Sequence, residues 1–395
     1  MNHHYLPQLL LRQFGKNEKV YTYDIKEKAL KTKKIKHVFM QKDLFDTELE
    51  VQFSKFIEGP FGDLLNHKLL THDKICITRR ENLLMRKFLL LNSLRSPLWK
   101  MTYSDMVKLM TGNDESQAFE MNMQRDLLKK VDVNLDEIFG EEQYQTRLKK
   151  IMELNSLEEL NIWLHSSNTG EKYDLLEYAV EHIMASYIGF WDSTQSEQEF
   201  IFPKTQGIGM MDYRGHMYKY MIAEQEYRKV QSDMERLRND PFSSVLYESI
   251  QRRWYLLRKG SLIYSDNFSI YPISPTRTMI CFSPYFRGFF WETGSDGKTK
   301  MLPPVFSKAQ FNQHFYEPMR MELFENCRAI ENLNYEYQVK NLTSSEVLML
   351  NSIQLDVEPE EFVFRDFNKI RDSFWYYDHQ AKFARKKKND YSNLE

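Results

Sequence analysis

The sequence predicts an α+β protein, predominantly α-helical: a helical bundle carrying a small antiparallel sheet formed by an N-terminal hairpin and strands near residues 199–213 and 261–282. Three observations carry that expectation. Apolar residues recur at three- and four-residue spacing over most of 47–191, the period of helices that bury one face. Alternation at spacing two is confined to short segments near residues 19, 200 and 277. A chain of 395 residues that is 42% hydrophobic and 14% aromatic has enough apolar surface to fold around, which excludes extensive disorder. The same reading divides the chain into 1–46 (opening motif and hairpin), 47–198 (helical), 199–345 (strand-containing, with a charged helical insertion at 214–260) and a tail at 346–395 with a basic end.

The organising stretch is His3-His4-Tyr5-Leu6-Pro7-Gln8 followed by Leu9-Leu10-Leu11-Arg12-Gln13-Phe14. Chain ends are usually loose and polar; this one is apolar enough to be buried. Pro7 has its φ preset for a helix start, so Leu9 to Phe14 is expected as a helical turn, with His4 and Tyr5 extended before it and Arg12 on an otherwise apolar helix. Lys19 to Ile25 alternates as a strand. The lysine-rich segment from Lys26 to Lys36 then reads as the connection of a hairpin, either a solvated loop that blunts a sheet edge or a phosphate-binding loop.

From Thr47 the period is helical through Leu49, Phe53, Phe56 and Ile57, is interrupted at Gly59-Pro60, and continues through Phe61, Leu64, Leu65 and Leu69, which predicts a broken or kinked helix. Glu58 falls at the break, where a carboxylate at a new helix N-terminus gains from the dipole. Glu81 to Leu94 is a second apolar helix, stopped by Pro97. Arg95 at its edge calls for a buried carboxylate partner or an anionic ligand. Helices are expected at 105–110, 115–131, 141–154, 157–164 and 173–191, strands at 199–203, 206–213 and 277–282, and a last long helix at 307–333. In the insertion, Arg252, Arg253, Arg258 and Lys259 surround Trp254 and Tyr255; this is either a projecting helical hairpin or a nucleic-acid grip by phosphate contact and stacking.

The opening pattern His-Tyr-Leu-Pro-Gln-x3-Arg-x-Phe, ending at Phe14, resembles the signature of a mostly bacterial family known as domain of unknown function 4238. The resemblance implies the tyrosine-rich strand at Val20 to Asp24, a glutamate in the region of Glu58, an Arg-Ser-Pro at Arg95 and a Pro-x-Ser-Pro at Pro272 to Pro275. Phe202 to Thr205 departs from the family's Ser-Asp-Asn-Pro, and Ser265-Asp266-Asn267 is either its displaced equivalent or chance. The family implies no settled activity.

A formal charge of −2 leaves no overall basic field, so nucleic acid could bind only at a local patch. No run approaches the roughly 20 apolar residues of a spanning helix, and no leader is evident, so no membrane partner is expected. The 3 cysteines, scattered and odd in number, fit a reducing cytoplasm. Phosphate-loop, dinucleotide, zinc-protease and nucleophile-elbow motifs are missing. Two readings stand. In the first, His4, Arg12, Glu58 and Arg95 form the acid–base and charge-stabilising set of a nuclease-like toxin or defence effector, working with Mg²⁺ or Mn²⁺. In the second, the same residues fasten the N-terminus of a non-catalytic sensor or scaffold that binds protein partners in a multi-gene bacterial system of phage-defence type.

Overall fold

The computed structural model describes residues 2–4, 6–25, 27–42, 47–95, 102–111, 187–204, 208–211, 267–282, 291–293, 299–301, 334–356 and 361–380, with single positions between 115 and 153 and at 228 and 232. Two larger sheets organise them. The four-stranded sheet has the order β3 (Ala29–Lys34), β2 (Lys19–Asp24), β14 (Glu361–Phe364), β7 (Phe202–Pro203), antiparallel throughout. Period-two alternation gives it two apolar faces. Val20, Phe202 and Val363 turn to α1 (Gln8–Phe14), where the rings of Phe14 and Phe202 lie 5.3 Å apart. Tyr23, Phe362 and Phe364 turn to α6 (Ser344–Asp356) and α7 (Arg371–His379), with Tyr23 and Phe374 at 5.7 Å.

The six-stranded sheet runs β5 (Lys74–Thr78), β13 (Asn334–Asn341), β6 (Tyr187–Asp192), β10 (Arg277–Phe282), β9 (Asn267–Pro272), β8 (Ile208–Met211). Its pairs are antiparallel except β13 with β6. Two-stranded pairs are formed by β1 (Asn2–His4) with β4 (Met40–Lys42), and by β11 (Trp291–Thr293) with β12 (Thr299–Met301).

α4 (Arg79–Leu94) follows β5 directly, because Thr78 and Glu81 close a reciprocal capping box that satisfies two N-terminal amides. It packs on the long helical stretch of α2 (Thr47–Phe53), a π turn (Ser54–Glu58), α3 (Gly59–Leu64) and a second π turn (Leu65–Leu69), with Phe61 stacked on Phe88. α5 (Tyr103–Thr111) buries Tyr103 and Val107.

The expected bundle with one small sheet is therefore corrected: the architecture is two sheets with helices packed on them, and the N-terminal hairpin belongs to a different sheet from the strands at 208–211 and 267–282. The end of the expected 173–191 helix is β6. Its Ile188, Phe190 and Trp191 are all buried, and an apolar run buried on both faces carries no alternation to separate it from a helix. β5 lies where only helix was expected, too short to break the surrounding pattern. The hairpin pairs not with its sequence neighbours but with β14, so Lys33 of β3 meets Glu361 from 328 residues away. Gly59-Pro60 does not break the helix, because the π turn before it releases the hydrogen-bond register that proline would violate. Lys31, Lys33 and Lys34, expected in a connection, stand on β3, the edge strand, where they oppose edge-to-edge pairing. Of 199–203 only Phe202–Pro203 is strand. The expected helices at 157–164 and 307–333, most of 115–131 and 141–154, nearly all of the insertion and the basic run at 385–388 lie outside the described residues.

Candidate functional site

The N-terminus is tied down as its composition predicts. Leu6, Leu10, Leu11 and Phe14 are buried in the main core, and β1 places His4 opposite Met40. Leu10 borders the same small apolar cavity as Tyr271, Ile273 and Met279, which brings α1 against β9 and β10. His4 is half-buried, with Nδ1 3.1 Å from the carbonyl of Val38. A carbonyl oxygen only accepts, so Nδ1 carries the proton and, in the neutral ring, Nε2 holds the free lone pair. Burial lowers the His4 pKa below its ordinary value; the Val38 hydrogen bond and the Glu58 carboxylate oppose this, while Arg95 and Arg12 add to it.

Arg95, in the turn that ends α4, is 2% exposed. Its Nη1 donates to Oε1 of Glu58, its Nη2 lies 4.0 Å from Oε2 of Glu50, and its guanidinium sits 4.4 Å from the centre of the Phe53 ring. Glu50, Phe53 and Glu58 all come from α2 and the π turn that follows, which bring these two carboxylates to one cation. Glu58 makes no cap to α3; its carboxylate is spent on Arg95 instead. Burial pushes the Glu50 carboxyl upward; Arg95 works against that shift and Glu58 with it. The side chains of Glu50 and Glu58 keep 28% and 22% of their surface exposed, so the cluster reaches water along its carboxylate edge.

His4, Glu58 and Arg95 are thus within electrostatic reach of one another. Arg12 is not part of the cluster: it is exposed, held by Gln8 at 3.3 Å and Glu18 at 3.7 Å, and acts on His4 only through space. Arg252, Arg253, Arg258, Lys259 and Asp266 lie outside the described residues. Among the described residues no group of three His, Cys, Asp or Glu side chains could hold a metal ion, and no helix is long and apolar enough to cross a membrane.

Three charged residues of consequence escaped the sequence reading. Glu50 was hidden because its position one residue beyond Leu49 looks solvent-facing. Arg277 donates from Nε to Asp192 at 2.8 Å and from Nη1 to the carbonyls of Leu69 and His72 at 2.8 and 2.9 Å, fastening the end of the second π turn to β6 and β10. Glu199, 1% exposed, accepts from Arg365 and lies 3.1 Å from the Lys369 ammonium. The available signal for both buried carboxylates was an acidic residue directly beside apolar runs, Phe190-Trp191 and Phe200-Ile201-Phe202.

No curated protein and no solved structure matches this chain significantly. The family model described as a protein of unknown function (DUF4238) matches residues 2–366, a span that takes in the opening motif, the His4–Glu58–Arg95 cluster and both larger sheets, and the chain belongs to that family.

Proposed function

We propose that the chain is a nucleic-acid-directed hydrolase, a nuclease-like toxin or defence effector of bacterial origin, whose acid–base centre is His4, Glu50, Glu58 and Arg95. The observation that carries the reading is the hydrogen bond from His4 Nδ1 to the Val38 carbonyl. It fixes the tautomer, and with a lowered pKa the ring is neutral near pH 7 with Nε2 ready as a base. Glu50, 4.0 Å from Arg95 and with its carboxyl pushed upward by burial, is assigned the role of acid in this reading. In the proposed step a water oxygen attacks phosphorus, Nε2 takes the water proton, and the leaving oxygen receives a proton from Glu50. Glu58 orients Arg95, whose charge favours the anionic transition state. If Mg²⁺ or Mn²⁺ takes part, the Glu58 carboxylate would hold it together with water and substrate, and the ion would supply neutralisation of phosphate charge.

A second reading is favoured by a specific observation: Arg95 is already engaged by Glu58, Glu50 and Phe53, and His4 by backbone, which is what a purely structural fastening needs. The chain would then be a sensor or scaffold subunit that binds protein partners. Purified protein assayed for RNA and DNA cleavage with Mg²⁺ or Mn²⁺ separates the two. The hydrolase reading expects wild-type cleavage that His4→Ala and Glu50→Gln abolish while both variants stay folded at the assay temperature. An inactive wild type whose His4→Ala variant melts early leaves the scaffold.

A further inference from the structure

One uncommitted feature among the described residues is a groove of about 700 Å³ on the exposed end of the four-stranded sheet, lined by no residue of the His4 cluster. α7 covers the Tyr23–Phe362 half of that sheet face, and leaves the Tyr21–Leu30–Thr32 end open. Tyr21, 52% exposed, stacks on the buried Phe364 with ring centres 6.0 Å apart and planes 21° from parallel. Phe364 is in turn 6.0 Å from Phe367. The ring is braced from the side by its cross-strand neighbour and presents its remaining surface to water.

Beside this platform stand Arg365 and Lys369, with side chains 47% and 44% exposed. Both bear on one carboxylate, that of Glu199, whose backbone is itself pinned by Asn351 and Lys369. The wall carries three cations, Lys31, Arg365 and Lys369, against two carboxylates, Glu199 and Asp366, with Lys31 also tied to Asp24 and Glu27 outside it. The other acid in the wall, Asp366, directs its carboxylate to the Asn368 amide 3.0 Å away, within its own turn.

We infer that this groove binds single-stranded nucleic acid, with a base stacked on Tyr21 and the adjoining phosphate at Arg365 and Lys369. An aromatic platform flanked by cations is what sequence-tolerant strand binding requires, since every base offers a π face and every linkage a negative charge. The volume lies within the roughly 300–1,000 Å³ of ligand sites. An acidic peptide would use the cations and leave the platform idle; a strand uses both. The inference goes beyond the acid–base centre and does not rest on it, because Tyr21 and Lys369 take no part in that cluster.

The test is fluorescence anisotropy with labelled oligo(dT) and oligo(rU) 15-mers against the full chain, at several salt concentrations. Wild type should bind at low salt. Tyr21→Ala should weaken binding about tenfold while Tyr21→Phe keeps it, since stacking of one base is worth about 1–3 kcal/mol. Lys369→Gln, which leaves Arg365 to neutralise Glu199, should weaken binding and flatten the salt slope by about one. Lys74→Gln, at an exposed lysine of β5 in the other sheet, should bind as wild type, and cleavage is assayed separately on every variant. The inference is overturned if wild type binds neither oligonucleotide at low salt, if Tyr21→Ala and Lys369→Gln both bind as wild type, or if uridine monophosphate competes as well as the oligonucleotide.

Discussion

Arg95 and Glu58, 37 residues apart in the chain, meet as an ion pair that joins the end of α4 to the π turn of the neighbouring helix. The guanidinium is almost wholly buried, whereas Glu58 keeps 22% of its side chain in water and Glu50 stands in reserve at 4.0 Å. Removing one partner of a fully buried pair costs about 3–5 kcal/mol. The partial exposure and the second carboxylate reduce that figure for Glu58, so Glu58→Gln should cost about 1–2 kcal/mol. Arg95→Met, which leaves two carboxylates facing each other, should cost more. Urea midpoints of the two variants and of the double variant give the coupling; additivity would show that the pair contributes nothing.

His4 supplies a pH signature. Its folded pKa lies below its ordinary value of about 6.5, so the unfolded chain binds more protons in the window just below 6.5 and stability rises with pH there. The contribution is complete above about 6.5 and is lost as pH falls toward the lowered folded value. The urea midpoint of wild type should therefore drop more between pH 7.5 and 5.5 than that of His4→Gln. Equal drops would place the ring in water.

Glu50 has the opposite sign. Its carboxyl titrates above the ordinary value of 4.5, so the folded state holds the proton longer and stability falls as pH rises through the folded pKa. Glu50→Gln should be close to wild type in melting temperature near pH 4 and gain on it toward pH 8, while losing any cleavage activity. A variant that loses ground at pH 8 would mean that Arg95 outweighs burial at this site.

What was legible in the sequence follows from these particulars. Apolar composition marked the opening stretch as buried, and spacing gave the helix that ends at Arg95, because both are local properties of the sequence. The need of Arg95 for a carboxylate was legible too, since an arginine on an apolar face is costly unless paired. The raised Glu50 carboxyl was not: its environment is made by Arg95, Phe53 and the fold of α4 over α2, none of it local. Strand pairing was hidden for the same reason. β2 announces itself by alternation, but nothing in its pattern names β14, and nothing in Asp192 names Arg277, 85 residues on.

Gly15 tests the fastening of the opening motif. A Cβ there would lie 2.9 Å from the carbonyl oxygen of Lys19, 3.0 Å from Ile35 Cδ1 and 3.2 Å from Val20 Cγ1. The φ of −98° is open to any residue, so the constraint is space alone. The Lys19 carbonyl cannot retreat freely, because it accepts from the Lys16 amide at 2.8 Å. Gly15→Ala should cost about 1–3 kcal/mol, the usual range for overpacking, with His4→Ala additive to it in thermal melts if the His4 strand and α1 dock independently.

Arg277 should prove the most sensitive residue outside the core aromatics. Its side chain is buried, its charge is balanced by the equally buried Asp192, and two further donors close the carbonyls of Leu69 and His72 at the end of the second π turn. A lysine could keep the charge opposite Asp192 but has a single ammonium point in place of the planar fork that reaches three acceptors at once. Arg277→Lys would leave carbonyls without their buried donor, each worth about 1–3 kcal/mol when orphaned, so a total loss of about 3 kcal/mol is expected. Asp192→Asn strands the guanidinium charge instead and should cost about as much. The two losses must fall well short of additive in the double variant, because each already breaks the same junction. Hydrogen exchange gives the sharper readout: both variants should lose protection first at 65–72, the segment that Arg277 holds to the sheet, and uniform loss across the chain would deny that junction its local role.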